Sequence, residues 1–247
     1  MSDALKAIEA DRNELLALCQ QLDGSVWAKK SGCPGWTVQD VVSHMACSFW
    51  LAVDPTNLPD PAGLPAERAA DVYVESRRGM TPEEVVADYE LVSLKGLEIL
   101  AAAQGQDVDV PLGDVGTYRA SDVPNAFAFE HYIHIRYDLF PPDGPLSGEP
   151  PASDELRLAP TLDWIEAALP QQNRELLDDL NNAVEVHLTG AGARTLRIGG
   201  TLGSAHIICE STAFVRWVTQ RGSWESLGVD ATGDPSTLEA IRRLKVF

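Results

Sequence analysis

Residues 125–140 read NAFAFEHYIHIRYDLF. The run is apolar and aromatic, yet Glu130, His131 and His134 fall within five residues of it. On a helix Glu130 and His134 stand one turn apart and about 40° apart around the axis, so both side chains reach one point. An imidazole and a carboxylate meeting there suit a borderline divalent cation such as zinc, which takes both donor types. His131 lies a quarter turn or more away and points elsewhere. The competing readings are a surface Glu–His pair at i, i+4 and a core histidine satisfied by a backbone carbonyl.

A metal needs a third protein ligand, and the best candidate is His44 in QDVVSHMACSFW, mid-helix beside Val41, Val42 and Met45. His187 and His206 fall in strand-like segments much later and are poorer candidates. A His44–Glu130–His134 set leaves coordination positions open, the layout of a catalytic rather than a structural metal. Cys47, three residues after His44, is the group able to close such a site; its other reading is a small buried hydrophobe.

Outward from these residues, the first 140 positions read as helices. Leu5, Ile8, Leu15, Cys19 and Leu22 recur near a 3.6-residue period. Thr37 and Asp40 form a capping box that starts a second helix, and Thr81, Pro82 and Glu84 start a third over 82–103. Residues 54–65 are a Pro-rich loop, and residues 105–124 are irregular with room for an extended piece. The helix holding Glu130 is the fourth long one, which suggests a bundle. Residues 141–155, PPDGPLSGEPPASDE, carry five prolines and two glycines and read as a linker. Beyond it AVEVHLTG, RTLRIGG and SAHIICE alternate like strands, while STAFVRWVTQR and PSTLEAIRRLKV read as helices. The expected architecture is α plus α+β: a four-helix bundle over 1–145 and a small α+β domain over 156–247.

Composition narrows the function classes. The formal charge of −18 argues against nucleic acid and anionic membrane surfaces, which need clustered Lys and Arg. No apolar run approaches the length of a membrane span. The opening stretch MSDALKAIEADRNELL lacks the basic and apolar segments of a signal peptide, and the four scattered cysteines include no CxxC. The expected location is therefore cytoplasmic, with reduced thiols.

CPGWTVQDVVSHMA, residues 33–46, resembles the N-terminal signature of the mycothiol-dependent maleylpyruvate isomerase family, whose proteins carry a DinB-like four-helix metal-binding domain. In that pattern the helix after PGWT bears the first ligand, here His44, and a later ExxxH bears two more, here Glu130 and His134. FVRWVTQRGSWESLGVDATGDPSTLEAIRRL is similar to the family's C-terminal, sterol-carrier-protein-like unit. One departure stands out. The family's helix continues H-x-x-D-L after its second histidine, whereas HIRYDL has one residue more. Either Asp138 is displaced, or the helix is locally irregular.

The resemblance implies zinc or another divalent metal, mycothiol or a similar thiol as cosubstrate, and a small electrophilic substrate. Thiol addition to a double bond then gives cis–trans isomerisation or S-transfer. Arg221, in VTQRGSW, matches the position from which the C-terminal domain offers an arginine to the metal cleft; its other reading is a helix-terminal charge. Arg136 is expected to face the cleft or solvent, and Arg77 and Arg78 solvent. Trp36 reads as a staple at the start of its helix, and Trp50, Phe127, Phe129 and Tyr132 as core. The same metal set also serves a hydrolase or lyase that activates water. A non-catalytic binding protein with an apolar C-terminal cavity is the third reading. The oligomeric expectation is a monomer or homodimer.

Overall fold

The computed structural model describes residues 2–180, 182–200 and 202–247. Local chemistry starts most of the helices. In α1 (Asp3–Cys19) the Ser2 hydroxyl accepts from the Leu5 N–H. In α2 (Val38–Val53) the Asp40 carboxylate accepts from the Thr37 N–H at 2.9 Å and Thr37 Oγ1 accepts from the Asp40 N–H at 3.2 Å. A short helix, α3 (Ala66–Glu75), follows the Pro-rich loop; the sequence reading assigns none there, since only Ala69, Tyr73 and Val74 form its buried stripe. The Thr81/Glu84 box and Pro82 open α4 (Pro82–Ala103) over the expected span. A hairpin of β1 (Asp109–Pro111) and β2 (Thr117–Arg119) is the extended piece expected before α5 (Val123–Ile133).

α1, α2, α4 and α5 form the bundle, with α2 lying along α4 and α1 against α4 and α5. Close approach is possible because Gly96 of α4 has no Cβ; one there would come within 2.2 Å of the Phe49 ring of α2. Leu5, Ile8, Leu15, Val41, Met45, Phe49, Tyr89 and Val92 fill the interior.

After α5 the chain turns into a π-helical segment, His134–Leu139, every residue of which is buried. Residues 140–154 carry no helix or strand and lead to α6 (Glu155–Gln172), which packs on α1 and α5. The sequence reading misses α6 because Pro160 and Pro170 lie inside it, and proline removes a helical N–H and crowds the preceding turn. Next come α7 (Arg174–Asp178), β3 (Asn182–Thr189), β4 (Thr195–Gly199), β5 (Leu202–Glu210), α8 (Ser211–Val218), α9 (Trp224–Leu227), β6 (Asp230–Gly233) and α10 (Pro235–Arg242). α9 and β6 are too short for a periodic signal. The strands order as β4-β3-β5-β6, with β3 and β5 parallel and the other pairs antiparallel. Gly199, at φ +85°, makes the reversal after β4, where a side chain would strike Leu180 and the Asn182 carbonyl.

The fold is therefore α plus α+β. One face of the sheet carries Val184, Val186, Leu196, Ile207 and Cys209 into a second core with α6 and α8. α5 and the π segment wall both cores at once: Ala128, Ile135 and Leu139 face the bundle, while Phe129, Tyr132, Ile133 and Tyr137 face the sheet side. A segment held between two cores is a rigid base for a site. No described helix is long and apolar enough to cross a membrane.

Candidate metal centre

His44 leaves the middle of α2 and meets Glu130 of α5: its Nε2 lies 2.9 Å from Glu130 Oε2. His134 Nε2 lies 3.2 Å from the same oxygen. The two imidazoles stand edge to face with centroids 4.8 Å apart. Three donor atoms from two helices thus converge. Ligands about 2.0–2.2 Å from one cation would be spaced roughly 3 Å or a little more from each other, so the donor set fits a divalent ion with little movement.

Behind this triad lies a chain of charge. His134 Nδ1 is 2.7 Å from Asp138 Oδ2, and Arg221 holds both carboxylate oxygens of Asp138 at 2.9 and 2.7 Å. A carboxylate on the far nitrogen of a ligand imidazole fixes its tautomer and orientation. Arg221 is therefore brought to the site, but its guanidinium faces Asp138, and its Nη1 donates to the Thr219 carbonyl. The helix is irregular here: His134–Leu139 form a π turn, and Asp138 lies against His134. Single π turns are common where one extra residue has been accommodated near a functional site.

Charge and burial set the protonation of the metal-free site. Burial pushes the Glu130 carboxyl up, but hydrogen bonds from His134 and His44 outweigh it and hold it well below the usual carboxylate range. The Glu130 side chain is 27% exposed, so the carboxylate is reachable from solvent. Burial pushes the His134 imidazolium down, yet Cys33, Asp138 and Glu130 together keep its proton to well above the ordinary imidazole value. Asp138 is likewise held low against its burial by His134 and Arg221.

Several residues stand elsewhere than the sequence suggests. His131 is a core histidine: its Nε2 meets Tyr89 Oη at 2.9 Å and its Nδ1 the Phe127 carbonyl at 2.8 Å. Arg136 faces neither cleft nor solvent. It is 1% exposed and grips both oxygens of buried Asp11 at 3.0 and 2.8 Å, because the π turn rotates it toward α1. Arg77 is largely covered and pairs with Asp88, while Arg78 is half-exposed and pairs with Asp40. Cys47 points away under α3, among Leu58, Ala69 and Tyr73, and burial pushes its thiol up to about 12. It does not close the site.

Trp36 does more than staple a helix. Its ring lies 4.9 Å from that of His44, and its Nε1 donates to Asp71, so it forms a wall of the cleft. Trp50 donates to Asp88 and is partly buried, whereas Phe129 and Tyr132 are core. The sequence reading counts Cys33 among four cysteines open to a site role without singling it out; its Sγ lies 3.7 Å from His134 Nδ1. Its only signal was its place just before the PGW turn.

Comparison with known proteins places the chain in a family and matches its fold to two solved structures. A family model for the mycothiol maleylpyruvate isomerase N-terminal domain matches residues 8–140. The crystal structure of the mycothiol-dependent maleylpyruvate isomerase is similar with a TM-score of 0.58 over 95% of both chains, at 16% identity. A histidine-to-alanine mutant of that enzyme gives the same TM-score of 0.58 and coverage of 95%, at 17% identity. At such identity the likeness speaks for the fold. No curated protein matches the chain.

Proposed function

The chain belongs to the family of the mycothiol maleylpyruvate isomerase N-terminal domain, and from that premise we propose that it is a metal-dependent enzyme acting with a low-molecular-weight thiol such as mycothiol. A metal-binding helical unit over 1–145 and a small α+β unit over 156–247 make up the chain in this reading. The observation that carries the proposal is the meeting of His44 Nε2 and His134 Nε2 on a single oxygen of Glu130. Zinc or a similar divalent ion held there would supply a Lewis acid that makes a thiol ionise at neutral pH.

The chain's own residues do the rest. His44 and His134 must each give up a proton at Nε2 to act as ligands, and Asp138 keeps the remaining proton of His134 at Nδ1. Arg221 neutralises Asp138, so that this carboxylate stays charged within the cleft. Its proposed role is that of a positioning residue. Trp36 covers one side of the imidazole pair and limits water. The substrate is an electrophile whose double bond is conjugated to a carbonyl. The thiolate adds to that bond and the electron pair moves onto the carbonyl oxygen. The carbon–carbon bond, now single, rotates, and return of the electrons expels the thiolate with the geometry inverted. Retention of the adduct, after protonation at carbon, is S-transfer instead.

Elemental analysis of the untagged protein beside His44→Ala and His134→Ala tests the reading. We expect near-stoichiometric metal in the wild type and loss in both variants, with turnover of a cis-configured electrophile such as maleylpyruvate only when mycothiol is added. A wild type that holds no metal after reconstitution overturns the proposal. Turnover without any thiol points instead to activated water, the hydrolase or lyase reading.

A further inference from the structure

The chain has five histidines, and the centre described above and the core account for three. The other two, His187 of β3 and His206 of β5, come together on the outer face of the C-terminal sheet, opposite to its core. They are brought there by register. β3 and β5 are parallel with Glu185 directly across from His206, and His187 is the next outward residue along β3 after Glu185. Alternation along the strands thus sets two imidazoles and a carboxylate on one patch.

We propose that Glu185, His187 and His206 form a second, surface site for a borderline divalent cation of the zinc, nickel or copper class. Glu185 Oε2 lies 3.8 Å from His187 Nε2 and 3.5 Å from His206 Nδ1, and the three donor atoms all fall within 4.8 Å of one another. The rings are stacked at 12° with centroids 6.4 Å apart, and each has a nitrogen within 3.8 Å of the same Glu185 oxygen. Closing these separations, at most 4.8 Å, to a ligand spacing of roughly 3 Å is the work of rotation in side chains that are about half-exposed, while the strands stay still. Thr195, across from His187 on β4, has its Oγ1 3.0 Å from His187 Nδ1. A proton at Nδ1 given to that hydroxyl leaves the Nε2 lone pair directed at the patch, the tautomer a ligand requires.

The donor set of two nitrogens and one oxygen selects against magnesium and calcium, which prefer oxygen ligands. Arg197, opposite Glu185 on β4, puts a cation beside the patch and weakens the attraction for a divalent ion. The site is accordingly the weaker of the two, and it exchanges its ion with solvent because its remaining coordination positions face water.

The test is calorimetric titration of the untagged protein, stripped of metal by a chelator and dialysed, with zinc chloride, in four forms: wild type, His187→Ala/His206→Ala, His44→Ala/His134→Ala, and all four substitutions together. The expected result is two equivalents in the wild type, one tighter than the other. The surface pair of substitutions removes the weaker equivalent and leaves the tighter; the buried pair does the reverse; the quadruple variant binds neither. Magnesium chloride gives no heat at the surface patch. A surface variant that binds the same equivalents as the wild type with unchanged affinities overturns the inference, whatever the buried pair does. Failure of the buried centre alone would leave the weaker equivalent intact, so the two proposals fail separately. Circular dichroism of the surface variant, expected to match the wild type since both side chains face solvent, keeps the comparison sound.

Discussion

At the scale of single residues, Asp138 is the side chain on which the most depends. It takes charge-assisted bonds from His134 and from the Nε and Nη2 of Arg221. Asp138→Asn keeps the shape and removes the charge, and we expect metal affinity to fall about 10–100-fold, as for other groups that orient a ligand imidazole. Competition against a chromophoric chelator measures it. The same cluster sets a pH dependence for the metal-free chain. His134 has its folded value raised above 6.5, so its contribution is complete below 6.5 and fades as pH rises through the raised value. Glu130 and Asp138 have theirs depressed below 4.5 and 3.8, so their contributions hold above those values and are lost in acid. Urea unfolding in the presence of a chelator should therefore find this cluster's stabilisation greatest between about pH 4.5 and 6.5 and declining on either side. Added zinc should restore the alkaline side, because a cation then takes the place of the lost proton.

Among elements, the contact of α2 with α4 decides where His44 sits. Gly96 lets the two helices approach, and the Phe49 ring occupies the place of its missing Cβ, five residues beyond His44. Helix propensity alone would make Gly96→Ala stabilising by about 1 kcal/mol. Phe49 is fully buried against Phe127, Tyr89 and His131 and has nowhere to go. We expect overpacking to win, with a net loss of about 1–3 kcal/mol in chemical denaturation. The capping box of α2 was legible because its chemistry is local, a threonine and an aspartate three residues apart. The π turn was legible only as an anomaly of spacing: HIRYDL showed a residue too many, and its backbone shape depended on packing between two cores. α6 was illegible because its two prolines argue against a helix that burial against α1 and α5 nonetheless enforces.

For the whole molecule, the buried Asp11 carboxylate fastens three parts of the chain. It accepts from Arg136 of the π turn and, at 2.7 Å, from Arg157 of α6, while itself belonging to α1. Asp11→Ala would leave the Arg136 guanidinium unpaired at 1% exposure, and we expect a loss of about 3–5 kcal/mol in equilibrium unfolding. The loss should be smaller for Arg157→Met, since that change removes a charge and leaves Asp11 its Arg136 partner. Arg221 is the second long-range tie, reaching from beyond α8 to the π turn. Arg221→Ala should lower metal affinity in the same direction as Asp138→Asn, and the double variant should cost little more than either alone, because both act through one chain of contacts to His134.

What the sequence determined by itself was whatever depends on neighbours in the chain. The helices with capping boxes, the alternating strands, and the placing of Glu130 and His134 on one helical face all follow from spacings of two to four residues. The candidate first ligand, His44, was nominated from its place mid-helix beside Val41, Val42 and Met45 and then supported by the resemblance around PGWT, since no local spacing links it to Glu130, 86 residues away. Only the tertiary structure decided how the charges resolved. Arg136 went to the interior, Arg221 went to Asp138, and Trp36 went to the wall of the cleft, because a buried charge or polar group takes the partner that three-dimensional packing supplies. The second histidine pair was decided the same way. His187 and His206 are 19 residues apart in the chain, and only the parallel register of β3 and β5 sets them side by side.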